Sequence, residues 1–490
     1  MRRGLTPARG IIHLHSPFSH DACDGDPRAF DGALDEDCLA DLKRGLCTTR
    51  MDYAALTEHD DSMADDAFED LLLVRGNDEL IEIDSEPRAA RVACESGHTV
   101  VLFTGGENDL MPIMIDRHPA GTAQQRHDFY NANSVAAVQA FADIGGMTVI
   151  PHAEGWTTDE IRALAPAGLE VYQLHANIDP GIRADDLGLD GPAAIQAVLE
   201  FADTSETGPE PDLALLSFLE PNTPSITHWD ALLGEGMRLF GTAGTDAHQN
   251  ALPIEMRDGE RGDSYRRMIR WFSNVALVTD RDDPAAIEDA VRAGRLFIAF
   301  ELFGTPVGFD AVAGDVEIGG EVEPGATLTV TVPTVYELDD SLPAPVIRAR
   351  ILRVNADGTT TEVAAGAGPT VEATLTDDGP AYRVEVLITP HHLGPYLGSL
   401  GTEHAEREQV WVYSNPFYLT SNSRASPGRS LSGHAAPAAR LGGSCGGRTP
   451  PAGAGDALAT LRAHSRATPP PAACFSAMWP PRGRALLAVP

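Results

Sequence analysis

The sequence predicts an α/β domain followed by an all-β region, and three observations carry that expectation. Between residues 10 and 300, short apolar runs alternate with segments of helical periodicity, the pattern of a parallel sheet or barrel with crossover helices. Five of six such runs end in a His, Asp or Glu, and the carboxyl ends of parallel strands are where α/β proteins build active sites. From about Leu302 apolar and polar residues alternate, with Gly, Pro and Asp between the runs. That is the period of half-buried antiparallel strands.

The six apolar runs are GIIHLHS (10–16), YAALTEHD (53–60), TVVLFTGGE (99–107), MTVIPHAEG (147–155), GLEVYQLH (168–175) and RLFGTAGTDAH (238–248). Helical patterns cover Ser134–Ile144, Thr158–Leu164, Ala193–Ala202, Thr227–Leu233 and Asp283–Ala293. Thr158 with Ile161 and Leu164 reads as a capped start followed by helical spacing. Asp283 before Pro284 reads as an N-cap with Pro at the first helical position. Beyond Leu302, ATLTVTV, VIRARILRV, TVEATLT, AYRVEVLI and QVWVYSNPFYL alternate as strands of a β-sandwich do. After about Asn422 the chain is rich in Ala, Pro, Gly, Ser and Arg without periodicity, so this tail is expected to be disordered. The expected division is an α/β domain over 1–300, a β-sandwich over 301–422 and a low-complexity tail over 423–490.

Charge is unevenly spread. Before position 423 there are 28 basic against 71 acidic residues, a net of −43. Such a surface repels nucleic acid and anionic membranes. No apolar run reaches the ~18 residues of a membrane span. The start, MRRGLTPARG, has the charge of a signal peptide without an apolar stretch behind it. Cys23, Cys38, Cys47 and Cys94 lie in the first hundred residues, three of them in an acidic, loop-like insertion. Their spacing is not that of a paired C-x-x-C zinc site. Disulfides, which would favour a periplasmic or extracellular location, and free thiols packed under the loop both fit this pattern.

The strand ends carry the chemistry. In chain order they bring His13, His15, Asp21, His59, Glu107, His118, His152, Asp246 and His248. H-x-H on a strand sets both imidazoles on one face, because side chains alternate with period two; the D-x-H of Asp246 and His248 repeats the device. Burying these groups without partners would cost several kcal/mol each. A metal cluster removes that penalty by neutralising carboxylates and engaging imidazole lone pairs. His and carboxylate ligation without Cys suits Zn, Mn or Fe, and so many groups fit two or three divalent ions.

HLHSPFSHD, LTEHD, GGE, PHAEG and GTDAH, in this order, resemble the motifs of the PHP (polymerase and histidinol phosphatase) family of metallohydrolases over roughly residues 10–300. The resemblance implies a distorted (β/α)7 TIM-like barrel and phosphoester hydrolysis. It implies a first metal on His13, His15, Glu107 and Asp246. It implies a second on Glu107, His118 and His152, and a third on Asp21, His59 and His248. His20 is the alternative to Asp21; His98 and His127 are the alternatives to His118. The Cys-bearing insertion and residues 108–133 depart from small family members and are expected to shape the pocket rim.

Glu170, in LEVYQLH, is expected to orient a ligand. Asp60, beside His59, or a metal-bound water is expected to protonate the leaving group, and Glu58 either orients His59 or faces solvent. The expected nucleophile is hydroxide bridging two metals, made available near neutral pH by the cations. The expected substrate is a small phosphoester. A carboxylic ester, amide or carbamate would be polarised by the same centre, and a non-catalytic, metal-containing surface binding protein is the alternative of another class. The sandwich would cover a barrel edge or bind a glycan or protein.

Overall fold

The fold is built on six parallel strands that are buried along most of their length on both faces, as strands covered on both sides are. They are β1 (Thr6–Leu14), β2 (Tyr53–Leu56), β3 (Thr99–Phe103), β4 (Met147–Ile150), β5 (Gly168–Gln173) and β6 (Phe240–Ala247). This computed structural model describes residues 3–59 and 63–420. Asp60 and the tail expected to be disordered lie outside the described residues. The ladders run in the order β4-β5-β6-β1-β2-β3. Ile12, Tyr53, Phe103, Val149 and Phe240 meet in one buried cluster.

The sheet is not a closed barrel, so the seven-stranded barrel implied by resemblance is not seen among the described residues. Met111–Ile113 pairs antiparallel with β4 at one edge. At the other edge β3 pairs antiparallel with Glu86–Ala93. Among the described residues no ladder joins the two edges; a backbone hydrogen bond of 3.0 Å, from Ile115 N–H to the Thr104 carbonyl, crosses the gap. The observed fold is a mixed α/β sheet with further antiparallel sheets.

The sheet also forks. Thr6–Gly10 of β1 pairs antiparallel with β7 (Ser273–Val278), while Ile12 and Leu14 on the same strand pair parallel with β6. At the fork Asn274 stands in for a strand. Its Nδ2 donates to the Ala243 carbonyl and its Oδ1 accepts the Ala243 N–H, both at 2.9 Å. Asn415 treats Gly241 alike: Oδ1 accepts its N–H at 2.6 Å and Nδ2 donates to its carbonyl at 3.1 Å. Through β8 (Leu296–Ala299), β7 continues to β9 (Gln409–Ser414) and the antiparallel strands Ala381–Thr389 and Val346–Val354. One hydrogen-bonded sheet thus spans position 300. A separate antiparallel sheet holds Asp310–Ala313, Val316–Glu317, Thr327–Thr331 and Thr370–Thr374.

Local signals placed several helices. Ser134 caps Val135–Asp143, and Asp283 caps Pro284–Arg292. The helix Thr158–Leu164 is capped by Thr157 rather than Thr158, in a box with Glu160. Asn222 caps Thr223–Gly234, which starts a turn before the expected Thr227 because Pro224 fits the first turn. The Cys-bearing insertion is not all loop. Asp35 caps the helix Glu36–Thr49, which buries Leu39, Leu42 and Leu46 on one side. Disulfides join Cys23 to Cys38 and Cys47 to Cys94, with Cα separations of 5.9 and 5.5 Å. No described helix is long and apolar enough to cross a membrane.

Replacing Asn274 by Ala strands a buried N–H and a buried carbonyl at the fork. The expected loss is about 2–5 kcal/mol of stability, read from urea unfolding. An unchanged midpoint would show that Asn274 does not hold the fork.

Candidate metal centre

Backbone irregularities aim the side chains. His13 is an extra residue in β1, since Ile12 faces Ala55 of β2 and Leu14 faces the very next residue, Leu56. Such a bulge redirects the side chain. His13, Asp246 and His152 all have left-handed backbones, with φ of 69°, 49° and 47°. Each costs of order 1–3 kcal/mol, a strain that clusters at functional sites. His59 and Glu107 sit directly opposite each other in a two-residue parallel ladder, Glu58–His59 against Gly106–Glu107. Gly244 leaves the space for this arrangement: a Cβ there would overlap Glu170 Oε1 and come within 3.0 Å of His13 Nδ1.

Four imidazoles share one logic. Each has Nδ1 against an oxygen, which leaves Nε2 to face inward. His13 Nδ1 is 2.7 Å from Glu170 Oε1. His15 Nδ1 is 2.7 Å from Ser19 Oγ. His59 Nδ1 is 3.2 Å from the Glu107 carbonyl and His248 Nδ1 2.9 Å from the Asp246 carbonyl. The His15 tautomer follows directly. Ser19 donates its only hydroxyl proton to Glu58 Oε2 at 2.7 Å, so His15 Nδ1 must be the donor and Nε2 carries the lone pair. Glu58 also accepts the Ser16 N–H. Burial pushes its carboxyl up, and the Ser16 and Ser19 hydrogen bonds oppose that.

The inward nitrogens face three carboxylates. His13 Nε2 lies 3.5 Å from Glu107 Oε1 and 3.3 Å from Asp246 Oδ1. His15 Nε2 lies 3.2 Å from Asp246 Oδ1, and His152 Nε2 3.2 Å from Glu107 Oε1. His59 and His248 present Nε2 to Asp21 Oδ1 at 3.6 and 3.3 Å. Most of these separations are long for charge-assisted hydrogen bonds. They match the edge of about 3.3–3.4 Å between two ligands held tetrahedrally at zinc distances. His13 Nε2, His15 Nε2, His248 Nε2, Asp21 Oδ1 and Asp246 Oδ1 are buried without a hydrogen-bond partner. Buried polar atoms rarely go unmatched, and these five converge. The donor set therefore fits divalent cations.

Electrostatics agree. Burial opposes charge on Glu107 and Asp246, but the neighbouring histidines, His13 foremost, outweigh it and hold both carboxyls well below their usual range. Burial is likewise outweighed at Asp21, by His248, His59 and His15. Burial and His248 push His15 down to about 3, whereas Asp21 and Asp246 overcome burial to raise His248 to about 9. The carboxylates keep their charge and demand a positive partner, a demand that cations meet while leaving imidazoles neutral.

Of the residues expected from sequence, His13, His15, Asp21, His59, Glu107, His152, Asp246 and His248 come together. Glu170 lies behind them, fully buried. Its Oε2 accepts the His152 N–H at 3.0 Å. His20 is exposed, its ring 5.3 Å from that of His59. The structure does not bring His118 into the cluster. His118 Nδ1 is 2.9 Å from the Tyr130 hydroxyl and its ring stands edge-on to Phe68. Burial, with Arg126, pushes it down to about 4. The alternatives do not take its place: His98 lies before β3, bonded to the Met51 carbonyl at 2.7 Å, and His127 faces Asp65 at 3.3 Å.

Sequence reasoning missed Ser19 and Glu154, and it gave His175 no role. Glu154 lies 3.6 Å from His152 Nδ1 and is held by Asn222 at 3.0 Å. His175 Nδ1 is 2.9 Å from Asp246 Oδ2. The signal for His175 was present, because it ends an apolar run as the ligands do. Three groups of ligand atoms converge: His15, His59 and His248; His13, His15, Glu107 and Asp246; and His152, His175 and Asp246. No family model matches this chain, and no curated protein or solved structure matches it.

Ser19→Ala and Glu58→Gln remove groups that orient His15 without removing a ligand. Each is expected to weaken zinc binding by about 10–100-fold, measured by calorimetric titration of chelator-stripped protein. Unchanged affinity in both would refute the orienting role.

Proposed function

We propose that this chain is a metal-dependent hydrolase, with a small phosphoester as substrate, built on a distorted barrel of the PHP type. The observation that carries the reading is the convergence of inward Nε2 atoms and three ionised carboxylates at the ends of parallel strands. The parallel strand order and the hydrogen bond across the gap between β3 and Met111–Ile113 support the barrel.

Asp21, Glu107 and Asp246, with the histidines facing them, would hold two or three ions such as Zn, Mn or Fe. Divalent ions bound there polarise an ester oxygen and lower the pKa of water. The chain's own residues do the rest. Glu170, Ser19 and backbone carbonyls keep His13, His15, His59 and His248 in the tautomer that offers Nε2. Asp246 and Glu107 each face several histidines and are placed to serve neighbouring ions. The mouth is rimmed by partly exposed His59, His152 and His175, so substrate can approach from that side. An anionic ester would be repelled by the acidic surface, and the bound cations would reverse the field locally. The two disulfides support an oxidising compartment, and the antiparallel sheets beyond Leu302 support a sandwich-like accessory region.

Metal-reconstituted protein is expected to hydrolyse p-nitrophenyl phosphate or its bis-ester. EDTA should abolish turnover, and His13→Ala should lower kcat/KM by about 10³-fold or more. Metal-loaded protein that turns over carboxylic esters but no phosphoester would move the substrate to the carbonyl class. Bound metal without turnover on either would favour a binding protein, and protein that stays metal-free after reconstitution would overturn the centre.

A further inference from the structure

The carboxylate of Asp246 is shared between two sides of the cluster. Oδ1 lies 3.3 Å from His13 Nε2, 3.2 Å from His15 Nε2 and 3.3 Å from His248 Nδ1. Oδ2 lies 3.5 Å from His152 Nε2 and 2.9 Å from His175 Nδ1. The His152 and His175 rings stand edge to face, 5.4 Å apart. Their ligand atoms and that of Asp246 are all within 4.8 Å of one another.

His175 is placed there by its own local structure. Gln173 caps the short helix Leu174–Ile178, its Oε1 accepting the Ala176 N–H at 3.0 Å. Gln173 Nε2 also lies 3.2 Å from Asp246 Oδ2. One residue therefore fixes both the helix that carries His175 and the oxygen His175 meets. The His175 side chain is 37% exposed, so it stands at the open edge of the cluster. His118, the residue that resemblance assigns beside His152, belongs to none of the three converging groups; its Nδ1 meets Tyr130, and its Nε2 is buried without a hydrogen-bond partner away from them.

We propose that the cation beside His152 is held by Asp246, His152 and His175, with His118 outside the coordination shell. The proposal rests on the metal-hydrolase reading above and changes which residues make its outermost site. Two histidines and a carboxylate leave a further coordination position free, as catalytic zinc sites do. That position borders the mouth, where an anionic ester oxygen would bind.

The test is zinc titration of chelator-stripped, full-length protein, with bound metal counted by elemental analysis and a parallel Co²⁺ absorption spectrum. His175→Ala is expected to lose one tightly bound equivalent, or to bind it about tenfold or more weakly, and to alter the Co²⁺ spectrum. His175→Gln, which keeps a polar side chain at this exposed edge, should show the same loss. His118→Phe should keep the wild-type count and spectrum. Wild-type count and affinity in both His175 variants, or loss of an equivalent in His118→Phe, would overturn the proposal while leaving the metal reading intact. Wild-type protein that binds no metal would overturn both.

Discussion

Ionised carboxylates buried against imidazoles are the constraint on which this structure turns. Asp246 and Glu107 are almost wholly buried, and Asp21 faces the same interior. Charges in such a place persist only when paired. Histidine supplies part of the pairing, yet several nitrogens and oxygens still lack a hydrogen-bond partner. The folded chain thus holds an arrangement that is unfavourable alone and favourable around cations. Any metal bound by this cluster would couple its affinity to folding stability.

Much of the surrounding structure serves that constraint. The strained backbones of His13, His152 and Asp246 are tolerated because the strands on either side of each are fixed by core packing. Glu170 touches both His13 and the His152 backbone, so two histidines from different segments are registered by one carboxylate. Ser19 does the same for His15 and the His59 N–H, at 2.7 and 3.1 Å. Cys23 follows Asp21 closely, and its disulfide ties that segment to the helix Glu36–Thr49. The Cys23 N–H also reaches the His248 carbonyl at 2.9 Å. The insertion thereby becomes a buttress for Asp21.

The later strands matter to the same end. Asn415 inserts its amide between β6 and β8, and Asn274 closes the fork beside Ala243. Both side chains bond to β6, the strand that carries Asp246. The C-terminal sheet is thus continuous with the strand layer that builds the centre, which explains why residues on either side of position 300 pack as one body.

Periodicity and composition were enough to locate the six parallel strands, five of the helices and the antiparallel strands beyond Leu302, because these depend on local burial patterns and caps. The residue types at strand ends likewise revealed most of the cluster, since hydrophobic runs seldom end in so many metal-competent groups. Sequence alone could not separate His118 from His175. Both are histidines near strand ends, and only the folded chain shows that one meets Tyr130 while the other meets Asp246. Nor could it show the bulge at His13, the role of Ser19, the fork sealed by asparagines or the cysteine pairing. Each of these depends on which distant residues share a few ångströms, and that is settled by packing across the whole chain rather than by any local pattern.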